Sequence, residues 1–237
     1  MPASFASVVV ITGTSRGLGL RLAQLFIDAG CLVFGCSRGE SALEDQRYRH
    51  DRIDIGDDAE VRRWIRGVKK EAGRIDLLVC NAGIVASVLP LTLTPTAVVE
   101  SYLRTNVAGT FYVCREAGKV MTAQRAGRIV AVSSTMTRLH EPGTAAYSAS
   151  KGAVEELIRV LARELAPAGV TCNIVAPGLI CTDASDSFGP EWRERMLGLQ
   201  TIKRPVSAEE IFHAVCYFAS PLAAAVTGQT LYMGLVP

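Results

Sequence analysis

Aromatic side chains make up only 6% of the 237 residues, charged ones 20%, and histidine occurs three times. An excess of charge of either sign is missing too: the net charge is +2, and no run of Lys and Arg stands out. A surface that tracks nucleic-acid phosphates needs such a basic patch, so its absence argues against that class of partner. There is no stretch of about 18 apolar residues, the minimum for a membrane-spanning helix. The start, MPASFASVVV, has no charged segment ahead of its strand-like run, which argues against a signal peptide.

Cysteine is present seven times, at positions 31, 36, 80, 114, 172, 181 and 216, but never as C-x-x-C. That scatter speaks against a disulfide framework and against a zinc site, and most of these thiols sit in apolar runs as small hydrophobes. No metal is expected, and a reducing cytoplasm is the simplest setting. Linkers, repeats and low-complexity tracts are also lacking, so residues 1–237 read as one domain.

What the chain does have is apolar content, 49% of its residues, arranged as short β-branched runs alternating with helical patterns. Residues 7–12, 31–36, 75–80, 128–133 and 170–175 read as strands, almost continuously apolar, as parallel strands covered on both faces should be. Helical stretches lie at 16–29, 57–72, 95–123 and 147–166. This alternation predicts βαβ units with right-handed crossovers, hence a doubly wound, Rossmann-like α/β domain with helices on both faces. Residues 183–204 break the pattern: they are polar, with a short helical piece near Pro190–Leu199. They are read as a substrate lid over the carboxyl ends of the strands.

After the first strand comes TGTSRGLG, residues 12–19, and then a helix. Glycines at 13, 17 and 19 permit a tight turn and let backbone N–H groups approach a pyrophosphate at the helix N-terminus, with Ser15, Arg16 and Leu18 between them. The spacing is G-x-x-x-G-x-G, not the commoner G-x-G-x-x-G. Where the second strand ends, an Asp or Glu would bind the ribose 2′-hydroxyl of NAD. Ser37-Arg38 stands there instead, with Arg16 nearby, and two guanidinium groups suit a 2′-phosphate, so NADP(H) is expected over NAD(H).

Tyr147 and Lys151 are four residues apart and share a helix face. An ammonium beside a phenol is expected to lower its pKa from about 10, so that Tyr147 could exchange a proton with a carbonyl or alcohol near neutral pH. Ser134 ends a strand at its carboxyl edge, where its hydroxyl could hold the substrate oxygen.

The turn at 12–19, Asp54-Ile55, Asn81-Ala82-Gly83, Asn106, the set Ser134, Tyr147 and Lys151, and Pro177-Gly178 with Thr182 occur in the order and spacing of one family. Over essentially its whole length the chain resembles the short-chain dehydrogenases/reductases, most of all the 3-oxoacyl-(acyl-carrier-protein) reductases and related ketoreductases. The resemblance implies a parallel seven-stranded sheet. It implies Tyr147 as general acid, Lys151 on the nicotinamide ribose and beneath the phenol, and Ser134 on the developing oxyanion. It implies Asn106 in a distorted helix, ordering a water toward Lys151. Asp54 and Ile55 would meet the adenine, residues 81–83 the ribose, and Pro177, Gly178, Ile180 and Thr182 the nicotinamide end. It also implies a homo-oligomer, a dimer or a tetramer, built on the helices near 105–123 and 147–166 and on the C-terminal strand.

Two departures stand out. The chain ends YMGLVP where the family has a Gly-Gly pair, and the stretch between Arg38 and Asp54 is short and charged, which implies a more open adenine pocket. His140 and Glu141 border the expected substrate loop, and Met136 and Leu139 are candidate pocket walls. Arg125 and Arg128 are read as surface residues, contact with an acidic carrier domain or a CoA phosphate being the alternative. The expected function is NADPH-dependent reduction of a keto group, with a 3-oxoacyl thioester or secondary-metabolite substrate. The alternatives are an alcohol dehydrogenase acting on a cyclic or steroid-like alcohol and a non-catalytic cofactor sensor.

Overall fold

The computed structural model describes residues 7–85, 88–181 and 188–236. Seven parallel strands form one sheet: β1 (Val8–Thr12), β2 (Leu32–Ser37), β3 (Tyr48–Arg52), β4 (Leu77–Cys80), β5 (Gly127–Val132), β6 (Val170–Pro177) and β7 (Thr230–Met233). Their order, β3-β2-β1-β4-β5-β6-β7, reverses direction between β1 and β4. The doubly wound arrangement expected from the sequence is therefore present.

Side-chain alternation on the buried strands feeds two cores, one on each face. Val8 and Val10 of β1 join Leu78 and Cys80 of β4 in one core. Val9 and Ile11 join Leu77 and Val79 in the other. The first core is closed by α2 (Asp58–Ala72), α4 (Thr110–Gln124) and α6 (Ala145–Leu165), the second by α1 (Gly17–Asp28) and α8 (Ala208–Ala219). Trp64, on α2, is 5% exposed and packs into the first core. Five of the seven cysteines are buried; Cys80 and Cys114 touch, Sγ to Sγ, at 3.5 Å. Among the described residues no cluster could hold a metal ion, and no helix is long and apolar enough to cross a membrane.

The helix expected at 95–123 is present, with the distortion at Asn106 that the resemblance implied. It runs as α3 (Thr96–Tyr102), a π-helical stretch at Leu103–Gly109, and then α4. The wider turn carries Asn106 into the interior, 1% exposed, and lets Gly109 lie against Ile55, where a Cβ would come within 2.8 Å of Ile55 side-chain atoms. Such π insertions are common at functional sites. A single turn, α5 (Met136–Leu139), precedes α6, and α7 (Pro190–Leu199) follows β6. Because the order switches between β1 and β4, a crevice opens there outside the carboxyl ends of the strands, the position where open α/β sheets bind ligands.

Candidate active site

A cavity of about 740 Å³ fills that crevice. At one end lie Gly13, Ser15, Arg16, Gly17, Leu18 and Gly19, with Ser37, Arg38, Asp54 and Ile55. At the other lie Ser134, Tyr147, Lys151, Pro177, Gly178 and Ile180, with Asn81, Ala82 and Gly83 between. Every predicted cofactor residue except Thr182 therefore lines one cavity. Thr182 falls outside the described residues, as do 183–187 of the expected lid.

The glycine turn is built for close approach. Gly13 has φ of 79°, in the left-handed region. A Cβ on Gly19 would sit 2.1 Å from the Gly13 carbonyl oxygen, so any side chain there would push the turn apart. α1 starts at this turn with neither a side-chain cap nor an acid in its first turn. By contrast, α2 is capped by Asp57, which accepts from the Ala59 and Glu60 N–H groups. The first N–H groups of α1 are thus left for an anion at the positive end of the helix. Asn81 braces the turn from β4: its Nδ2 donates to the Thr12 oxygen at 3.0 Å, while Thr12 Oγ1 accepts from the Asn81 and Ala82 N–H groups at 3.1 and 2.9 Å.

Arg16 and Arg38 are exposed at the rim, and neither guanidinium has an ion-pair or hydrogen-bond partner among the described residues. The two acids on the cavity wall are both engaged. Asp54 pairs with Arg104 at 2.7 Å and also accepts from Gly56 N–H, and Glu40 pairs with Arg52 at 3.0 Å. The net electrostatic character of this end is therefore cationic.

At the far end α6 carries Tyr147 and Lys151 one turn apart. The Tyr147 hydroxyl is hydrogen-bonded to Ser134, which follows β5, and its ring meets that of buried Tyr102 edge-on at 5.9 Å between centroids. Lys151 is 6% exposed and donates through Nζ to the Val132 carbonyl at 2.9 Å. Burial holds it down at about 8. The expected lowering of Tyr147 by its neighbour is corrected here. Burial pushes the phenol up to about 12, the Ser134 hydrogen bond lowering it only in part, because the Lys151 ammonium is turned to Val132.

Asn106 ties this end to the loop after β4. It accepts from Ile84 N–H at 2.8 Å and donates to the Ile84 oxygen at 3.2 Å and to Ser150 Oγ at 3.0 Å. Gly83 leaves room beside it, since a Cβ there would lie 3.1 Å from Lys151 Nζ and 3.4 Å from Asn106 Oδ1.

The remaining wall is apolar. Ile84, Val85, Val88, Met136, Leu179, Phe188 and Trp192 line it, and the rings of Phe188 and Trp192 are 4.8 Å apart. Phe188 and the helix α7 that carries Trp192 belong to the segment expected as a lid. Arg195 of α7 pairs with Glu141 at 2.5 Å, so Glu141 anchors the segment instead of lining the cavity, and neither His140 nor Leu139 lines it. Arg125 and Arg128 lie at the amino end of β5, opposite the cavity, and donate to the Pro167 and Gly127 carbonyls.

Three supporting residues had no signal in the sequence. Gln200, 1% exposed, accepts from Leu179 N–H at 2.5 Å and donates to the Ile202 and Arg204 oxygens, each at 2.9 Å. It thereby stitches the loop after β6 to the segment after α7. Glu155, 2% exposed, accepts from Ser133, Thr137, Arg159 and Tyr232 behind the Ser134 loop. Tyr232 itself accepts from Arg138 at 2.7 Å, so the unusual C-terminus is tied to the back wall of the site.

A family model described as enoyl-(acyl carrier protein) reductase matches residues 13–234. The 3-oxoacyl-(acyl-carrier-protein) reductase FabG of Escherichia coli (strain K12) is 30% identical, over 95% of both chains. FabG of Vibrio cholerae is 32% identical over the same shares. Among solved structures, ElxO with NADP bound superposes with a TM-score of 0.89 at 27% identity, covering 96% of this chain and 97% of that one. A gluconate 5-dehydrogenase from Burkholderia cenocepacia, in complex with NADP and tartrate, gives 0.89 at 29% identity, covering 95% and 92%. With its parallel sheet, its glycine turn and the Ser134, Tyr147 and Lys151 cluster in one crevice, the chain belongs to the short-chain dehydrogenase/reductase family.

Proposed function

We propose that this protein is an NADPH-dependent ketoreductase that converts a keto group to a secondary alcohol. The observation that carries this reading is the single cavity that joins a hydrogen-bonded Ser134–Tyr147 pair to a glycine turn flanked by two arginines with no partner among the described residues. The residues fit a phosphorylated dinucleotide. The uncapped start of α1 would take the pyrophosphate, Arg16 and Arg38 the 2′-phosphate with Ser37 beside them, and Asp54 and Ile55 would border the adenine. Residues 81–83 and Lys151 would border the nicotinamide ribose, with Pro177, Gly178 and Ile180 at the nicotinamide. When bound, the reduced nicotinamide supplies a hydride.

The chain's own residues then handle the proton. Ser134 Oγ holds the carbonyl oxygen, and the Tyr147 hydroxyl donates its proton to that oxygen as charge develops there. A phenol held at about 12 stays protonated at neutral pH and so has a proton to donate to that oxygen. Lys151, its Nζ held by the Val132 carbonyl, would serve the nicotinamide ribose and not the phenol. Asn106 fixes the start of α6 and the loop after β4 around that pair. The apolar wall from Ile84 to Trp192 favours a substrate with an apolar body, a 3-oxoacyl thioester carried on CoA or an acyl carrier protein being the class we favour. The segment 183–204 would cover that end as a lid. Phe111 on α4 and Val160 on α6, 45% and 50% exposed, fit a contact between copies of the chain in a homo-oligomer.

The test follows reduced-nicotinamide absorbance with a short 3-oxoacyl thioester, NADPH and NADH in parallel. Oxidation of NADPH alone is expected, and Tyr147→Phe should cut turnover at least about 10²-fold while binding of NADPH survives. Normal turnover by that variant would overturn the mechanism, and activity with NADH alone would overturn the cofactor assignment.

A further inference from the structure

We propose that His50 is a positioning residue that sets the preference for a 2′-phosphorylated dinucleotide, an inference that rests on the NADPH reading above. β3 is the edge of the sheet and reads YRHDR; Tyr48 alone of its side chains is buried in a core, and the rest face outward or lie half-buried. Tyr48 and His50, two apart, share one face, their ring centroids 5.9 Å apart. In register opposite His50 stands Gly35 of β2. A Cβ on that glycine would lie 2.4 Å from Thr14 Oγ1 and 2.5 Å from the Tyr48 hydroxyl, so its missing side chain is what lets these groups meet.

The hydrogen bonds fix the histidine's part. Nε2 lies 2.9 Å from the Gly39 carbonyl oxygen, and a carbonyl only accepts, so Nε2 carries the proton. Nδ1 is then free to accept, 2.9 Å from the Tyr48 hydroxyl and 3.3 Å from that of Thr14. Ser37 Oγ donates to the same Gly39 oxygen at 2.7 Å and lies 3.2 Å from Nε2. The turn Ser37-Arg38-Gly39 is thus closed on both sides of Arg38, and the arginine is held at the cavity rim. Thr14 belongs to the glycine turn, two residues before Arg16, and its carbonyl accepts from Ser41 at 3.3 Å. One imidazole therefore couples the two loops that present Arg16 and Arg38. His50 itself is absent from the cavity wall, so it acts through those loops.

A 2′-phosphate needs both guanidinium groups in place, whereas a ribose 2′-hydroxyl does not. Loss of the tether should therefore weaken NADPH selectively. The experiment is fluorescence titration of the full chain with NADPH and with NADH, for the wild type, His50→Leu, His50→Gln and Tyr48→Phe. His50→Leu is expected to raise the Kd for NADPH about tenfold and that for NADH less than about twofold. His50→Gln, whose amide can still donate to the Gly39 carbonyl, should return NADPH to within about threefold of wild type. Tyr48→Phe keeps the ring packed and removes the partner of Nδ1, so a loss of a few-fold for NADPH alone is expected, and it serves should His50→Leu fail to fold. Equal weakening of both cofactors, or an unchanged preference in the variants, overturns the role of His50. A wild type that binds the two cofactors alike overturns the NADPH reading and this inference with it.

Discussion

Replacing Lys151 by Met should make the protein more stable while destroying its activity. Holding a lysine at about 8 in place of its ordinary 10.5 costs the native state about 3 kcal/mol at neutral pH. The substitution also gives up the hydrogen bond to the Val132 carbonyl, worth about 1 kcal/mol. The net gain is about 2 kcal/mol, or roughly 4–8 °C in Tm for a domain of this size. The sign follows from proton counting. Below pH 8 the lysine is charged in both states and the native state carries the whole cost. As pH rises through 8 the native lysine sheds its proton while the unfolded chain keeps it until about 10.5, so wild-type stability climbs. By pH 10 only about 1 kcal/mol of the cost remains, matched by the lost hydrogen bond, and the two proteins should melt together. Thermal melts without cofactor at pH 7 and pH 10 decide it. A variant no more stable than wild type at pH 7, or a gain that persists undiminished to pH 10, would refute the reasoning.

Gly19→Ala should abolish cofactor binding and lower stability by about 2–4 kcal/mol in urea unfolding, because its Cβ would sit 2.1 Å from the Gly13 oxygen. Arg38→Leu should raise the Kd for NADPH about 10–100-fold in a fluorescence titration and leave NADH nearly unchanged, since a charge-assisted bond to the 2′-phosphate is lost. Glu155→Leu strips four donors of their acceptor and leaves Arg159 without its buried partner. It should cost about 3–5 kcal/mol, read as a fall in Tm.

The central sheet was legible in the sequence because each of its strands is covered on both faces and must be apolar throughout. The two strands without such a run, Tyr48–Arg52 and Thr230–Met233, are edges, where solvent relaxes that demand. Tyr147 and Lys151 were legible because helical spacing alone puts them on one face. The direction of the Tyr147 shift was not, since it depends on where the Lys151 ammonium points, and that is set by the Val132 carbonyl nineteen residues away. The π turn was implied by the family resemblance at Asn106 but hidden from the chain's own pattern for a similar reason. One inserted residue barely alters the apolar period of 95–123, and its cause, buried Asn106 gripping Ile84 and Ser150, comes from contacts 22 and 44 residues distant. Gln200 and Glu155 belong with it: a buried polar residue has no sequence signature until its donors are assembled around it.

The charges on the cavity wall explain why these separate features act together. Of the acids there, Glu40 and Asp54 are neutralised by Arg52 and Arg104, while Arg16, Arg38 and Lys151 have no acidic partner among the described residues. Two of those cations stand at the rim near the start of α1, and the third is buried at the far end under Tyr147. A ligand that satisfies all three must be anionic at its outer part and long enough to reach Lys151, about the length of the cavity. The same layout leaves the apolar wall beside Tyr147 without a cation of its own, so a substrate held there gains little from a negative charge near its keto group. Recognition by charge is concentrated at the dinucleotide end and recognition by shape at the other. That division would let the outer loops, and His50 behind them, tune cofactor choice without disturbing the proton chemistry proposed for Tyr147.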